Sequence, residues 1–319
     1  MEFSPMLQLS QSSASLYAGD QAAHLFTLKG NLLKLTSCTT RSLIDRDTTR
    51  EGFFIRERHP TVMRSLLLAI DRAKRFILFQ AALLLIVIGA FVIGALIMPI
   101  RALLQGWPSV EQARLVIHKS TKFYIKLLEW LGLITVEIKG FEHAKLNSGM
   151  ILIANHSSLL DIVFFLSIFP NCSCIAKKGL LYFSPYALII RWAGYAASAG
   201  GNEIVEQANS ELQNNRPFVI FPEGTRKSHS SQKHGAQEVK FKRGAAALVL
   251  KSKAPVVPVI FKYSPPVLGK NRRWRDAPDR ICQVNIEFFP AIYFHQVQTD
   301  KWIQRREITK KLEDFFGSN

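Results

Sequence analysis

Cysteine is scarce, with four in 319 residues. Cys38, Cys172, Cys174 and Cys282 contain no CxxC pair, so neither a zinc site nor a dithiol redox centre is expected. They read as reduced thiols in a chain that faces the cytosol. The opening stretch, MEFSPMLQLSQSSAS, lacks a basic start, a continuous apolar core and a cleavage site, so no signal peptide is expected. Acidic residues are also few: 24 Asp and Glu stand against 41 Lys and Arg, a formal charge of +17. That balance calls for an anionic partner, either nucleic acid, anionic lipid or a phosphorylated substrate. Hydrophobic content of 48% with positive mean hydropathy excludes a disordered chain and leans toward membrane association.

The longest absence is of charge. Residues 76–100, FILFQAALLLIVIGAFVIGALIMPI, hold no charged side chain over 25 positions, where a spanning helix needs about 20. Arg72, Lys74 and Arg75 precede the run and Arg101 follows it. A single span under the positive-inside bias would leave the N-terminal side in the cytoplasm and export the rest. A hairpin broken near Gly89 and Gly94 would keep both ends together. The expected location is the inner (cytoplasmic) membrane, with the globular part facing the cytoplasm.

Organisation follows from pattern. Residues 1–60 are polar and weakly patterned, and read as a poorly ordered tail with one short helix near 21–35. Residues 61–130 read as membrane-anchoring helices. Within them 110–130, VEQARLVIHKSTKFYIKLLEW, is amphipathic and fits either an anionic surface or a core face. From 131 to 300 strand-like and helix-like stretches alternate. This predicts an α/β domain, a mixed and mainly parallel sheet flanked by helices. Residues 301–319 close the chain as an amphipathic helix.

Within that domain the run ILIA is a buried strand, and Asn155 and His156 stand at its C-terminal end, where open α/β sheets gather their sites. Ser157 or Ser158 can cap the next helix, with Asp161 in its first turn. A carboxylate there can bond one imidazole nitrogen and leave the other as a base for a hydroxyl. Taken alone, a His and an Asp at this spacing are more usually a satisfied structural pair. A Ser hydrolase is disfavoured because no GxSxG elbow is present. A second loop, FPEGTR at 221–226, follows the apolar run FVI. It sets Glu223, flexible Gly224, Thr225 and Arg226 together, and an Arg fork suits a phosphate.

Together, NHSSLLD and FPEGTR resemble the Asn-His-x4-Asp and phosphate-binding blocks of the glycerolipid (lysophospholipid) acyltransferases, typified by the 1-acyl-glycerol-3-phosphate acyltransferases. His156 and Glu223 are 67 positions apart, a separation similar to that family's. KFKRGAAAL and APVVPVIF are similar to two further blocks, and the likeness covers roughly residues 105–295. The resemblance implies a membrane-associated O-acyltransferase. It would move a fatty acyl group from an acyl-CoA or acyl carrier protein thioester to a lysophospholipid hydroxyl, turning 1-acyl-glycerol-3-phosphate into phosphatidic acid. His156 and Asp161 would be catalytic. Asn155, Glu223, Gly224, Thr225 and Arg226 would bind substrate, with no metal, no cofactor and no covalent acyl-enzyme. The partners would be membrane lipids and the acyl donor.

The chain departs from the family at one place. YAASAGGNE puts Gly200, Gly201 and Asn202 where an Arg is expected. Lys240, Lys242 or Arg243 would have to replace that charge, or the acceptor is another lipid or a polyketide-like product. A hydrolase and a lipid-binding protein without catalysis are the further alternatives. GKNRRWRDAPDR interleaves Arg with Trp274, but no nucleic-acid-binding motif accompanies it. No nucleic acid partner is expected.

Overall fold

A computed structural model describes residues 59–145, 149–182, 184–197, 201–224, 240–269, 273, 275–294 and 300–318. The polar tail and its expected short helix lie outside them. Residues 58–319 form one unit.

The chain enters through a long helix, α1 (His59–Val92). One π-helical turn (Ile93–Ile97) joins it to α2 (Met98–Gln105). Of the two alternatives, the hairpin does not form among the described residues, and the reasons lie at Gly94 and Pro99. A π turn frees a carbonyl, and that of Gly94 accepts from Trp192 Nε1 at 3.1 Å. A Cβ on Gly94 would lie 2.7 Å from Leu188 Cβ, so glycine here permits close helix packing rather than a chain reversal. Pro99 falls at the start of α2, where its missing N–H is tolerated. Residues Val62–Gln105 make the one helix, among the described residues, that is long and apolar enough to cross a membrane. Only 22% of its most apolar window is buried, so it is no core helix. One narrow face, Phe79, Ala82, Ala90, Gly94 and Met98, is nevertheless covered by the domain.

The next helix, α3 (Val110–Trp130), opens on a capping box in which Ser109 and Gln112 exchange hydrogen bonds at 3.2 Å. Ala113, Arg114, Ile117, Tyr124, Ile125 and Leu128 recur at helical spacing and are buried, so this helix faces the core. The Tyr124 hydroxyl donates to Ala82 O at 3.1 Å and ties α1 to it.

The remaining elements are β1 (Ile134–Lys139), short α4 (Glu142–Lys145), β2 (Ile151–Ala154), α5 (Leu160–Ile168), β3 (Ser173–Ala176), a 3-10 turn (Lys178–Leu181), α6 (Ala187–Trp192), β4 (Ala196–Ala197), α7 (Gly201–Gln213), β5 (Phe218–Ile220), α8 (Gly244–Ser252), β6 (Val256–Ser264), β7 (Cys282–Phe288) and α9 (Lys301–Ser318). Seven strands pair in the order β1-β7-β6-β2-β5-β3-β4, all parallel except β6 with β7. The expected mixed, mainly parallel sheet is what forms.

Alternation along β2 shows both layers. Leu152 and Ala154 enter the core shared with α1, α3, α5 and α6. Ile151 and Ile153 enter the core shared with α7, α8 and α9. Cys172, Cys174 and Cys282 are free and buried, and burial pushes each thiol up, that of Cys282 to about 11.

A buried ion pair joins α3 to α7 beneath the sheet edge. Arg114, 1% exposed, reaches Glu211 with both terminal nitrogens, at 2.7 and 2.9 Å. Its Nε donates to Ala193 O at 2.9 Å. Burial pushes the Glu211 carboxyl up, but hydrogen bonds and charge from Arg114, then Arg216, hold it below its ordinary 4.5. A depressed carboxylate stabilises the fold above its unfolded value, and that contribution is lost as pH falls through the lower folded one. Glu211→Ala leaves Arg114 buried without its charge partner. The expected cost is about 3 kcal/mol, or a fall in Tm of roughly 6–12 °C. A thermal melt in detergent checks this, with exposed Glu111→Ala as the near-silent control.

Candidate active site

Strands β2 and β5 are neighbours and parallel, with Ile153 opposite Ile220. Their C-terminal ends therefore deliver His156 and the FPEG turn to the same place. The two rings that meet there are His156 and Phe221, stacked with centroids 4.3 Å apart. Two segments far apart in sequence thus share one contact.

The His156 side chain is 19% exposed and Asp161 is fully buried. Nδ1 of His156 lies 2.9 Å from Asp161 Oδ2. A carboxylate oxygen there accepts, so Nδ1 carries the proton and Nε2 keeps the lone pair. The same Oδ2 accepts from the amides of Ser157 at 2.8 Å and Ser158 at 2.9 Å. Asp161 thus reaches back over the turn that leads into α5. The expected serine cap does not form: Leu159 holds the N-cap position without a side-chain cap, and Ser158, one residue earlier, accepts from Leu160 N at 3.2 Å. The other oxygen, Oδ1, accepts from the hydroxyl of Tyr263 at 2.5 Å. Four donors on one carboxylate fix its plane.

Asn155, expected to bind substrate, engages β6 with both ends of its amide. Nδ2 donates to Phe261 O at 2.9 Å, and Phe261 N donates to Oδ1 at 2.8 Å. Nδ2 also donates to Ser157 Oγ at 2.8 Å. It braces the end of β2 directly beside His156.

Glu223 is half-buried in the turn, and Gly224 closes the turn by donating its amide N–H to Phe221 O at 3.0 Å. Gly224 has φ +70, and a Cβ there would sit 2.6 Å from Lys242 Nζ. Its positive φ favours glycine at this position, and the mobile end of Lys242 lies over it. Thr225 and Arg226 lie outside the described residues.

Of the three cations that could replace the missing Arg, Lys242 meets the FPEG turn, its ammonium lying over Gly224. Its amide also donates to Pro222 O at 2.9 Å. Lys240 is exposed. Arg243 turns away to the C-terminal helix, its guanidinium carbon 5.5 Å from the Trp302 ring centroid. At the departure itself, Gly201 and Asn202 begin α7, and the charge in its first turn is acidic Glu203. Among the described residues no three His, Cys, Asp or Glu gather as a metal site would require.

Comparison with known proteins shows what the chain is similar to. Residues 135–262 match the Acyltransferase family, a span that runs from β1 into β6 and holds both motifs. The chain is 27% identical over 216 residues to a 1-acyl-sn-glycerol-3-phosphate acyltransferase of Cocos nucifera, covering 65% of this chain and 63% of the relative. It is 29% identical over 160 residues to 1-acyl-sn-glycerol-3-phosphate acyltransferase alpha of Mus musculus, covering 48% and 54%. The matches thus span less than two thirds of these relatives' lengths. Among solved structures, the 1-acyl-sn-glycerophosphate (LPA) acyltransferase PlsC of Thermotoga maritima aligns with a TM-score of 0.52 and 21% identity. That alignment covers 81% of this chain and 98% of the other, and at that identity it speaks to the fold. Through residues 135–262, the chain is similar to the Acyltransferase family.

Proposed function

We propose that this chain is a membrane-associated O-acyltransferase whose acceptor is a lysophospholipid of the 1-acyl-glycerol-3-phosphate type. The contact that carries the reading is His156 Nδ1 on Asp161, with the ring stacked against Phe221 of the FPEG turn. It supports one imidazole with a fixed tautomer, set beside a loop suited to a phosphate.

In this reading Nε2 of His156 takes the proton of the acceptor hydroxyl. The hydroxyl oxygen attacks the thioester carbonyl carbon of an acyl-CoA or acyl carrier protein. The tetrahedral intermediate collapses, the C–S bond breaks, and the imidazolium returns its proton to the leaving sulfur. Asp161 steadies the imidazolium while it exists. The thioester is a cosubstrate, and the reading needs neither metal nor prosthetic group. In this reading Arg226 and Lys242 supply the positive charge for the acceptor phosphate. On the same reading the apolar helix Val62–Gln105, one side of which is covered by the domain from Phe79 to Met98, holds the domain at the inner face of the cytoplasmic membrane.

Arg226→Ala is expected to raise KM for lysophosphatidic acid about 10–100-fold, the worth of one charge-assisted hydrogen bond of roughly 1.5–3 kcal/mol. A monoacylglycerol acceptor should be unaffected. Equal loss with both acceptors would remove Arg226 from the phosphate. A second reading keeps the chemistry but changes the acceptor to one without glycerophosphate. The acidic first turn of α7, standing where a cation is expected, favours it. Labelled acyl-CoA and acyl carrier protein, offered with a panel of lysolipids and phosphate-free hydroxyl lipids, separate the two readings by product.

A further inference from the structure

We infer that Tyr263 is a positioning residue of the His156–Asp161 pair: its hydroxyl, donated to Asp161 Oδ1, pins the carboxylate so that Oδ2 stays on His156 Nδ1. The inference rests on the general-base reading of His156.

Three observations carry it. The first is the contact itself. At 2.5 Å it lies within the short range of a charge-assisted O–H···O bond. The second is the division of labour on Asp161. Oδ2 accepts from His156, Ser157 and Ser158, while Tyr263 is the donor to Oδ1 among the described residues. Without Tyr263 one oxygen of a fully buried carboxylate loses its hydrogen bond, and the plane of the group is held from one side only. The third is the mounting. Tyr263 stands near the end of β6, the strand parallel to β2 on the side opposite β5, and pairs with Val284 of β7. Asn155 clasps the same strand at Phe261, two residues earlier. Strand β6 thus holds both sides of the pair, Asn155 beside His156 through the Phe261 backbone and Asp161 of α5 through this hydroxyl. Desolvation first, then the Asp161 charge, push the Tyr263 phenol well above its ordinary value, so it remains a donor.

Packing alone would be served by phenylalanine, and that substitution is the test. Tyr263→Phe in the full chain in detergent should keep its circular dichroism, because Asp161 retains three donors on Oδ2. Two readouts then apply. The downfield proton resonance of the His156 Nδ1–H, identified by its loss in His156→Ala, should move upfield. The kcat should fall about 10–100-fold with KM for both substrates unchanged, the size that outer hydrogen-bond partners of an oriented His carry at metal centres. In an Asp161→Asn background, which folds without needing that donor, Tyr263→Phe should lower kcat no further. An unmoved resonance overturns the inference, and so does an equal loss of kcat in the Asn background. A shifted resonance in a protein whose wild type transfers no acyl group leaves the hydrogen bond standing and overturns the general-base role on which the inference rests.

Discussion

His156→Ala should lower acyl transfer by about 10²–10⁴, the usual share of a general base, while the protein stays folded. The reason it folds is local. The ring lies at the surface edge of the site, and its stacking partner Phe221 remains packed on Phe165. Asp161 stays buried but keeps the amides of Ser157 and Ser158 and the hydroxyl of Tyr263. No unpaired buried charge is left behind, so the penalty of several kcal/mol that such a charge would exact does not arise. Steady-state transfer, measured on protein whose melting curve matches wild type, checks this. Turnover retained in such a variant would remove His156 from the chemistry.

Asp161→Asn should be nearly as damaging to kcat, again about 10²–10⁴, with KM changed by less than about threefold. The amide has the shape of the carboxylate. Its oxygen can face Ser157 N, Ser158 N and His156 Nδ1, and its NH2 can face Tyr263 if that hydroxyl turns from donor to acceptor. What the variant loses is the negative charge beside the imidazolium. Because the two side chains act as one unit, the double variant should be no worse than the more damaged single one. Additive losses would mean that His156 and Asp161 contribute separately.

The parts of the site visible in the sequence are those that lie close together along the chain. His156 and Asp161 are five residues apart across one strand-to-helix turn, so local geometry alone brings them into contact. Most strands and helices from 134 to 318 are also legible, as apolar runs such as ILIA or as helical spacing, whereas short α4 (Glu142–Lys145) is not. What spacing cannot express is strand order. That β6 flanks β2 brings Tyr263 to an aspartate 102 positions away. Alternation along VVPVIFKYS does put Val257, Val259, Phe261 and Tyr263 on one face, which was the available signal. The Arg114–Glu211 pair, 97 positions apart, was hidden for the same reason. Gly94 was read as a breaker because glycine allows both a reversal and a close approach. The presence of Trp192 and Leu188 against it decides for the approach.

The most direct test of the central claim is product identification. Full-length protein, extracted in detergent, would be given labelled acyl-CoA or acyl carrier protein together with lysophosphatidic acid, beside His156→Ala. Labelled phosphatidic acid formed by the intact protein and lost with His156 is the predicted result. Labelled free fatty acid alone, or no turnover of any thioester with any lysolipid, would contradict the account.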